Sequence, residues 1–105
     1  MSASDAVSPM QFGKYTIARS DVQPRQVVAR GPRGGVAGFL DWEKANPPGW
    51  EGRPPQIGGV SVDKGHRGKG LASAMLKHAL EHEPNLKHSH ALTPDGKRFA
   101  ARNPL

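Results

Sequence analysis

A basic, glycine-rich run that joins an apolar segment to an amphipathic one carries the clearest chemical signal in this chain. It reads Val60-Ser61-Val62-Asp63-Lys64-Gly65-His66-Arg67-Gly68-Lys69-Gly70-Leu71-Ala72. The first backbone N–H groups of a helix lack partners within the helix, and the helix dipole makes that end partly positive. Gly68 and Gly70 let a ligand approach the main chain where a side chain would obstruct it. A strand, a glycine turn and a helix start in this order predict a site for a pyrophosphate group.

Two other phosphate-binding motifs fit this run poorly. A P-loop needs Gly-x-x-x-x-Gly-Lys-Ser/Thr, whereas here Gly70 is followed by Leu71, with no hydroxyl to hold magnesium. The dinucleotide-binding fingerprint needs a third glycine, and Ser73 stands in its place. The remaining alternative is a plain glycine-rich turn that enters a helix without binding anything.

The composition limits the class of protein. The chain has 105 residues, which is enough for a single domain. We expect this domain over 11–105, after a flexible N-terminal arm over 1–10. The chain contains no cysteine. Without cysteine, disulfides, thiol catalysis and cysteine-ligated zinc are excluded. No apolar run is long enough to span a membrane, and no signal pattern opens the chain, so we expect a cytoplasmic protein with no membrane partner.

The net charge of +6 raises the question of a polyanionic partner. Most of the arginines are scattered, and a local basic cluster forms only at Lys64, Arg67 and Lys69. No aromatic platform accompanies them, which argues against nucleic acid and in favour of a phosphate-bearing small molecule.

The hydrophobic pattern predicts an α/β fold. Alternating apolar residues predict strands over 11–19, 26–30, 36–42, 56–62 and 88–92. One long helix is expected over 68–83, and a short C-terminal helix follows Thr93-Pro94 to about Arg102. We therefore predict a mixed, mostly antiparallel sheet of about five strands, in which only the last strand joins by a parallel crossover.

The segment from Arg67 to Ala72 resembles the Gln/Arg-x-x-Gly-x-Gly/Ala signature of the GNAT superfamily of N-acetyltransferases. The strand of Val60 and Val62 before it and the Met75-Leu76 pair behind it also suit that family. The resemblance implies a GNAT-like fold, acetyl-coenzyme A as co-substrate, and transfer of the acetyl group to an amine of a small molecule or a peptide.

The resemblance also implies which residues bind the cofactor. The strand backbone would pair with the pantetheine arm, the loop amides would hold the pyrophosphate, and basic side chains, Lys64 among them, would meet phosphates. The residues so implied are Val60, Ser61, Val62, Arg67, Gly68, Lys69, Gly70, Leu71 and Ala72. The N–H of Val62 is a candidate donor to the oxyanion. Independently of the family, Gly58-Gly59 in mid-strand predicts a bulge that opens the sheet.

The catalytic residues are less clearly indicated. Many relatives carry an acidic residue on the strand before the glycine loop, but residues 56–62 contain none. The nearest carboxylates are Asp41 and Glu43, which are our candidates for the base. Many relatives also use a tyrosine as acid, whereas the only tyrosine here is Tyr15. His90 (or its neighbour His88) is the candidate replacement.

The chain leaves little room for an acceptor pocket. The helix pair that relatives insert after the first strand has no space between Arg19 and Gln26. The acceptor side is therefore open, or a second copy of the chain or a larger partner completes it. The alternative function is a catalytically silent GNAT-like module for binding or assembly. His78 and His82 have a spacing that could suit a metal, but we expect ordinary, partly exposed histidines and no metal.

Overall fold

The chain folds into an antiparallel sheet with two helices, as expected for the α/β class. The computed structural model describes residues 8–46, 48–89 and 92–105. The strands are β1 (Met10–Phe12), β2 (Tyr15–Arg19), β3 (Gln26–Arg30), β4 (Val36–Glu43) and β5 (Gln56–Val62). A 3₁₀ turn (Lys64–His66) precedes α1 (Leu71–His82), and α2 (Pro94–Arg102) follows. The five strands lie in chain order, each antiparallel to its neighbour.

The core lies between α1 and one face of the sheet. Alternation places Ile17, Val27 and Leu40 on this face, and all three are fully buried. Gly38 lies on the same face, where the space for a Cβ atom is already taken by the Ser61 carbonyl oxygen and by the Met75 side chain. The missing side chain therefore lets α1 come close to the centre of the sheet.

Two of the predicted strands differ from the structure. Residues 11–19 form two strands, because Gly13 adopts a φ of 58° and turns the chain so that Phe12 pairs with Tyr15. No strand is formed by the described part of 88–92, while residues 90 and 91 lie outside the described residues. Instead, Lys87 makes a single parallel bridge to Gln56. The chain therefore returns parallel to β5, as predicted, although the described part of 88–92 does not form the predicted strand.

The helices agree more closely with the prediction. The first begins at Leu71 rather than at residue 68, because Gly68 and Gly70 have φ angles of 77° and 79°, outside the helical region. The second begins where Thr93 caps it, with the Thr93 hydroxyl oxygen accepting from the Gly96 N–H at 3.1 Å. Among the described residues, neither helix is both long and apolar enough to cross a membrane.

The expectation of a partly exposed His78 is wrong: only 1% of this residue is accessible. Its Nε2 atom lies 3.3 Å from Nε2 of His82, and its Nδ1 lies 3.4 Å from the Glu81 carboxylate. Burial lowers the pKa of both imidazoles, and Glu81 only partly opposes this for His78. Within the described part of the chain, no three potential ligands gather into a metal site.

We expect Gly38→Ala to lower the free energy of unfolding by about 2 kcal/mol, because the new methyl group would overpack the core. Its Cβ atom would stand 2.6 Å from the Ser61 carbonyl oxygen and 3.3 Å from Met75 Cε. Gly35→Ala is the matched control, since nothing lies within 4 Å of its Cβ position. Urea unfolding of both variants measures the difference, and equal stabilities would contradict the close packing.

We expect acid to destabilise the fold through the histidine pair. An unfolded imidazole takes up a proton below about pH 6.5, whereas a buried one with a lowered pKa stays neutral. The free energy of unfolding should therefore fall below that pH, by about 1.4 kcal/mol per pH unit for each histidine that stays neutral. In His78→Leu, urea unfolding should show a smaller decrease in the free energy of unfolding between pH 7.5 and pH 5 than in the native protein. An equal decrease would show that the histidine pair is not the cause.

Candidate functional site

A cleft of about 870 Å³ runs along the open side of β5. One wall is the outer edge of β5, from Ile57 to Val62, and the other is α2 together with His88 and Ser89. The floor at one end consists of the loop that includes His66 and Arg67 and of the first turn of α1. The glycine-rich run and the strand before it therefore face one continuous cavity.

The cleft lies where β5 has no outer neighbour: within the described residues, one bridge, at Lys87, pairs with this edge. The Ile57 N–H donates to the Lys87 carbonyl oxygen at 2.9 Å, and the Lys87 N–H donates to the Pro55 carbonyl oxygen at 2.9 Å. Beyond this point His88 and Ser89 turn away to line the opposite wall. The register between β4 and β5 also shifts between Asp41 and Trp42, which confirms the bulge expected at Gly58-Gly59.

The backbone of β5 presents polar groups to this cleft. In an antiparallel pair, alternate residues bond to the same neighbour. Ser61 lies opposite Phe39, and the Asp63 N–H donates to the Ala37 carbonyl oxygen at 2.8 Å, so these odd-numbered residues bond to β4. The N–H groups of Val60 and Val62 therefore point outward, where an extended ligand can pair with them.

The loop between β5 and α1 exposes further N–H groups. The first bond along the helix runs from the Ala74 N–H to the Gly70 carbonyl oxygen at 3.0 Å. The N–H groups of Leu71, Ala72 and Ser73 precede it and open toward the cleft that these residues line. Gly68 and Gly70 both adopt left-handed backbone that other residues rarely accept. The loop therefore has the left-handed glycines and the unpaired N–H groups that the predicted pyrophosphate site requires.

The positive charge around the cleft only partly follows the sequence prediction. Arg67 lines the cleft, and its Nε donates to the Val62 carbonyl oxygen at 2.9 Å. Lys64 and Lys69 are exposed and do not line it. Instead, α2 contributes Arg98 and Arg102, which sequence reasoning missed. Their four-residue spacing on one helix was the available signal, but the sequence does not show that α2 faces the cleft.

The candidate base Asp41 lies one strand in from the cleft. Its Oδ1 is 3.0 Å from the place where a Cβ atom of Gly58 would stand and 3.3 Å from the equivalent point at Gly59. Burial raises the pKa of Asp41, a hydrogen bond from the Gly59 backbone lowers it, and the charge of Glu43 raises it. Glu43 itself is exposed, and His90 lies outside the described residues. Of the two candidates that the structure describes, Asp41 is the one whose carboxylate adjoins the cleft wall, across two residues without side chains.

The open strand edge and the glycine loop thus form one cleft in an α/β protein with an antiparallel sheet. The family model described as "Acetyltransferase (GNAT) family" matches residues 10–101. The chain therefore belongs to the GNAT acetyltransferase family, as its sequence suggested.

Solved structures agree with this assignment. A protein of Deinococcus radiodurans R1, named as a candidate acetyltransferase, superposes with a TM-score of 0.60 at 25% identity, covering 76% of this chain and 53% of that one. Ribosomal-protein-alanine N-acetyltransferase from Brucella melitensis biovar Abortus 2308 gives 0.52 at 25% identity, covering 74% of this chain and 58% of that one. The chain thus spans little more than half the length of either. Among curated proteins, none matches it in sequence.

Proposed function

We propose that this protein is an N-acetyltransferase that uses acetyl-coenzyme A to acetylate an amine. The observation that carries the proposal is the continuity of the free β5 edge with the glycine loop and the unpaired start of α1. An extended pantetheine arm needs strand-like hydrogen bonding, and a pyrophosphate needs converging N–H groups. The cleft offers the two in that order.

The residues present fit this co-substrate. The outward N–H groups of Val60 and Val62 would pair with the amides of the pantetheine arm. The first-turn N–H groups from Leu71 onward would hold the pyrophosphate, where a bulky side chain at Gly68 or Gly70 would intrude. On the facing wall Arg98 is ion-paired with Asp95, and Arg102 adds a further positive charge, which suits the further phosphate of coenzyme A.

In the proposed reaction, the amine nitrogen attacks the thioester carbonyl carbon. A C–N bond forms, the C–S bond breaks, and coenzyme A leaves as a thiolate that takes a proton from solvent. The amine proton passes through a water molecule to Asp41, whose carboxylate is separated from the cleft only by Gly58 and Gly59.

A second candidate function is a silent module that binds acetyl-coenzyme A without turnover. The observation that favours it is that no tyrosine lines the described part of the cleft, so the usual acid has no counterpart there. Tyr15 is buried, and its hydroxyl is hydrogen-bonded to His66. Turnover measurements decide between the two functions.

Titration calorimetry should show saturable binding of acetyl-coenzyme A at one site. Gly70→Ala should weaken it about five- to thirtyfold, because an alanine lets the free loop relax and costs about 1–2 kcal/mol when held at this φ for binding. Gly65→Ala is the matched control: its φ is ordinary and its Cβ would meet nothing within 4 Å. Absence of heat and of a thermal shift with millimolar acetyl-coenzyme A would refute the proposed function in both forms.

Asp41→Asn should lower kcat/KM about 100-fold while leaving the Kd for acetyl-coenzyme A within about twofold. Suitable acceptor probes are a simple primary amine and a short peptide with an N-terminal alanine, since one structural neighbour is named for that residue. Thiol release measures the rate. No release by the native protein with either probe would favour the silent module.

Glu43→Gln is the informative companion variant, because its charge raises the pKa of Asp41. Removing that charge stabilises the ionised Asp41, so the acid limb of the pH–rate profile should move to lower pH. An acid limb that stays in place would exclude Asp41 as the group that titrates.

A further inference from the structure

The hairpin formed by β1 and β2 reaches the glycine loop from a distant part of the sequence. The Tyr15 hydroxyl lies 2.8 Å from Nδ1 of His66, a residue 51 positions away. The two rings meet edge to face, with centroids 5.5 Å apart. On the same hairpin, Phe12 Cζ lies 3.6 Å from the Cβ position of Gly70. Two side chains of the hairpin thus support the two ends of the loop.

The hydrogen bond from Tyr15 determines which nitrogen of His66 carries a proton. Tyr15 is 3% exposed, and His66 is the one hydrogen-bond partner of its hydroxyl within the described residues. Since this hydroxyl has no other acceptor among the described residues, we assign it as the donor to Nδ1, which places the proton of a neutral imidazole on Nε2. An imidazolium carries a proton there as well. In both states Nε2–H is a donor.

Among the described residues, the donor at Nε2 has no hydrogen-bond partner. Within residues 8–46, 48–89 and 92–105, His66 makes one side-chain hydrogen bond, through Nδ1. His66 is half-buried and lines the cleft beside Arg67 and Gly68. The ring is therefore held by one nitrogen and has the other available for a ligand in the loop.

We propose that His66 donates a hydrogen bond from Nε2 to a phosphate oxygen of the bound ligand, and that Tyr15 is the residue that positions it. The ligand is a pyrophosphate ester. The inference rests on the proposed function, because acetyl-coenzyme A is the molecule that supplies this group. The hairpin is thus part of the phosphate site although it contributes no cleft-lining residue.

The first test reads the tautomer of His66 in the free protein. Long-range ¹⁵N–¹H correlation spectra should show the proton on Nε2 in the native protein and a mixture of both tautomers in Tyr15→Phe, which lacks only the hydroxyl. A contact that only packed against the His66 ring would not select one tautomer. A proton on Nδ1 alone in the native protein would overturn the proposal.

The second test measures affinity for acetyl-coenzyme A and for inorganic pyrophosphate by calorimetry. His66→Ala should weaken both about tenfold, the usual scale for one hydrogen bond to a charged group. His66→Gln places an amide N–H where Nε2–H was, so it should stay within about threefold of the native protein. Tyr15→Phe should weaken binding severalfold, and should cost nothing further in the His66→Ala background.

Ile17→Val is the matched control for a general loss of stability, since Ile17 is fully buried on the same strand and has no polar side-chain group. It should bind both probes as the native protein does, and thermal unfolding checks that every variant is folded. Native affinity in His66→Ala would overturn the inference and leave the proposed function standing. If the native protein binds pyrophosphate but not acetyl-coenzyme A, the proposed function is overturned while the inference about His66 stands. If it binds neither probe, both are overturned.

Discussion

The separation of β5 from its outer neighbour after Ile57 is the constraint on which the rest of the site depends. One parallel bridge joins Gln56 to Lys87, and the next residues diverge. An open strand edge is normally a liability, because its unpaired N–H and C=O groups invite other chains. Here the open length coincides with the cleft, and Arg67 covers the Val62 carbonyl oxygen. The groups that an extended ligand can use are the N–H donors of Val60 and Val62 and the Val60 carbonyl oxygen.

The bulge at Gly58 and the closeness of Asp41 are two results of the same local geometry. A register shift opposite Asp41 and Trp42 places an extra residue on β5. Because Gly58 and Gly59 carry no side chains, the Asp41 carboxylate occupies the space above them. Any side chain at either position would displace the carboxylate or close the cleft from that side. The irregularity of the strand and the position of the proposed base therefore cannot be changed separately.

The sequence predicted best those features that local chemistry decides. The strand Gln26–Arg30, the strand Gln56–Val62 and the Thr93 cap of α2 have the predicted bounds, because alternation and capping act over a few residues. The division of 11–19 into two strands was missed, although Phe12 is out of phase with Tyr15 and Ile17 in a period of two.

The parts of the site that depend on tertiary contacts could not be predicted in this way. The burial of His78, the presence of Arg98 in the cleft and the bond between Tyr15 and His66 all depend on which faces the elements turn to each other. The glycine loop could be recognised from the sequence because its glycines and basic residues form a pattern over a few neighbouring positions. Its support was missed because that support comes from 51 residues away.

The two walls of the cleft differ in how they are attached to the molecule, and this has a consequence for its motions. The β5 wall belongs to a sheet whose neighbours are all consecutive in the chain. The α2 wall is held by the bridge at Lys87, by the buried Phe99 and by the bond from His88 Nε2 to the Asn103 carbonyl oxygen at 2.6 Å. A segment with so few ties opens at lower free energy than the sheet does. A ligand that contacts both walls couples the opening of the C-terminal segment to the opening of the sheet. Binding of such a ligand therefore slows amide hydrogen exchange in α2 more than in β2 or β3.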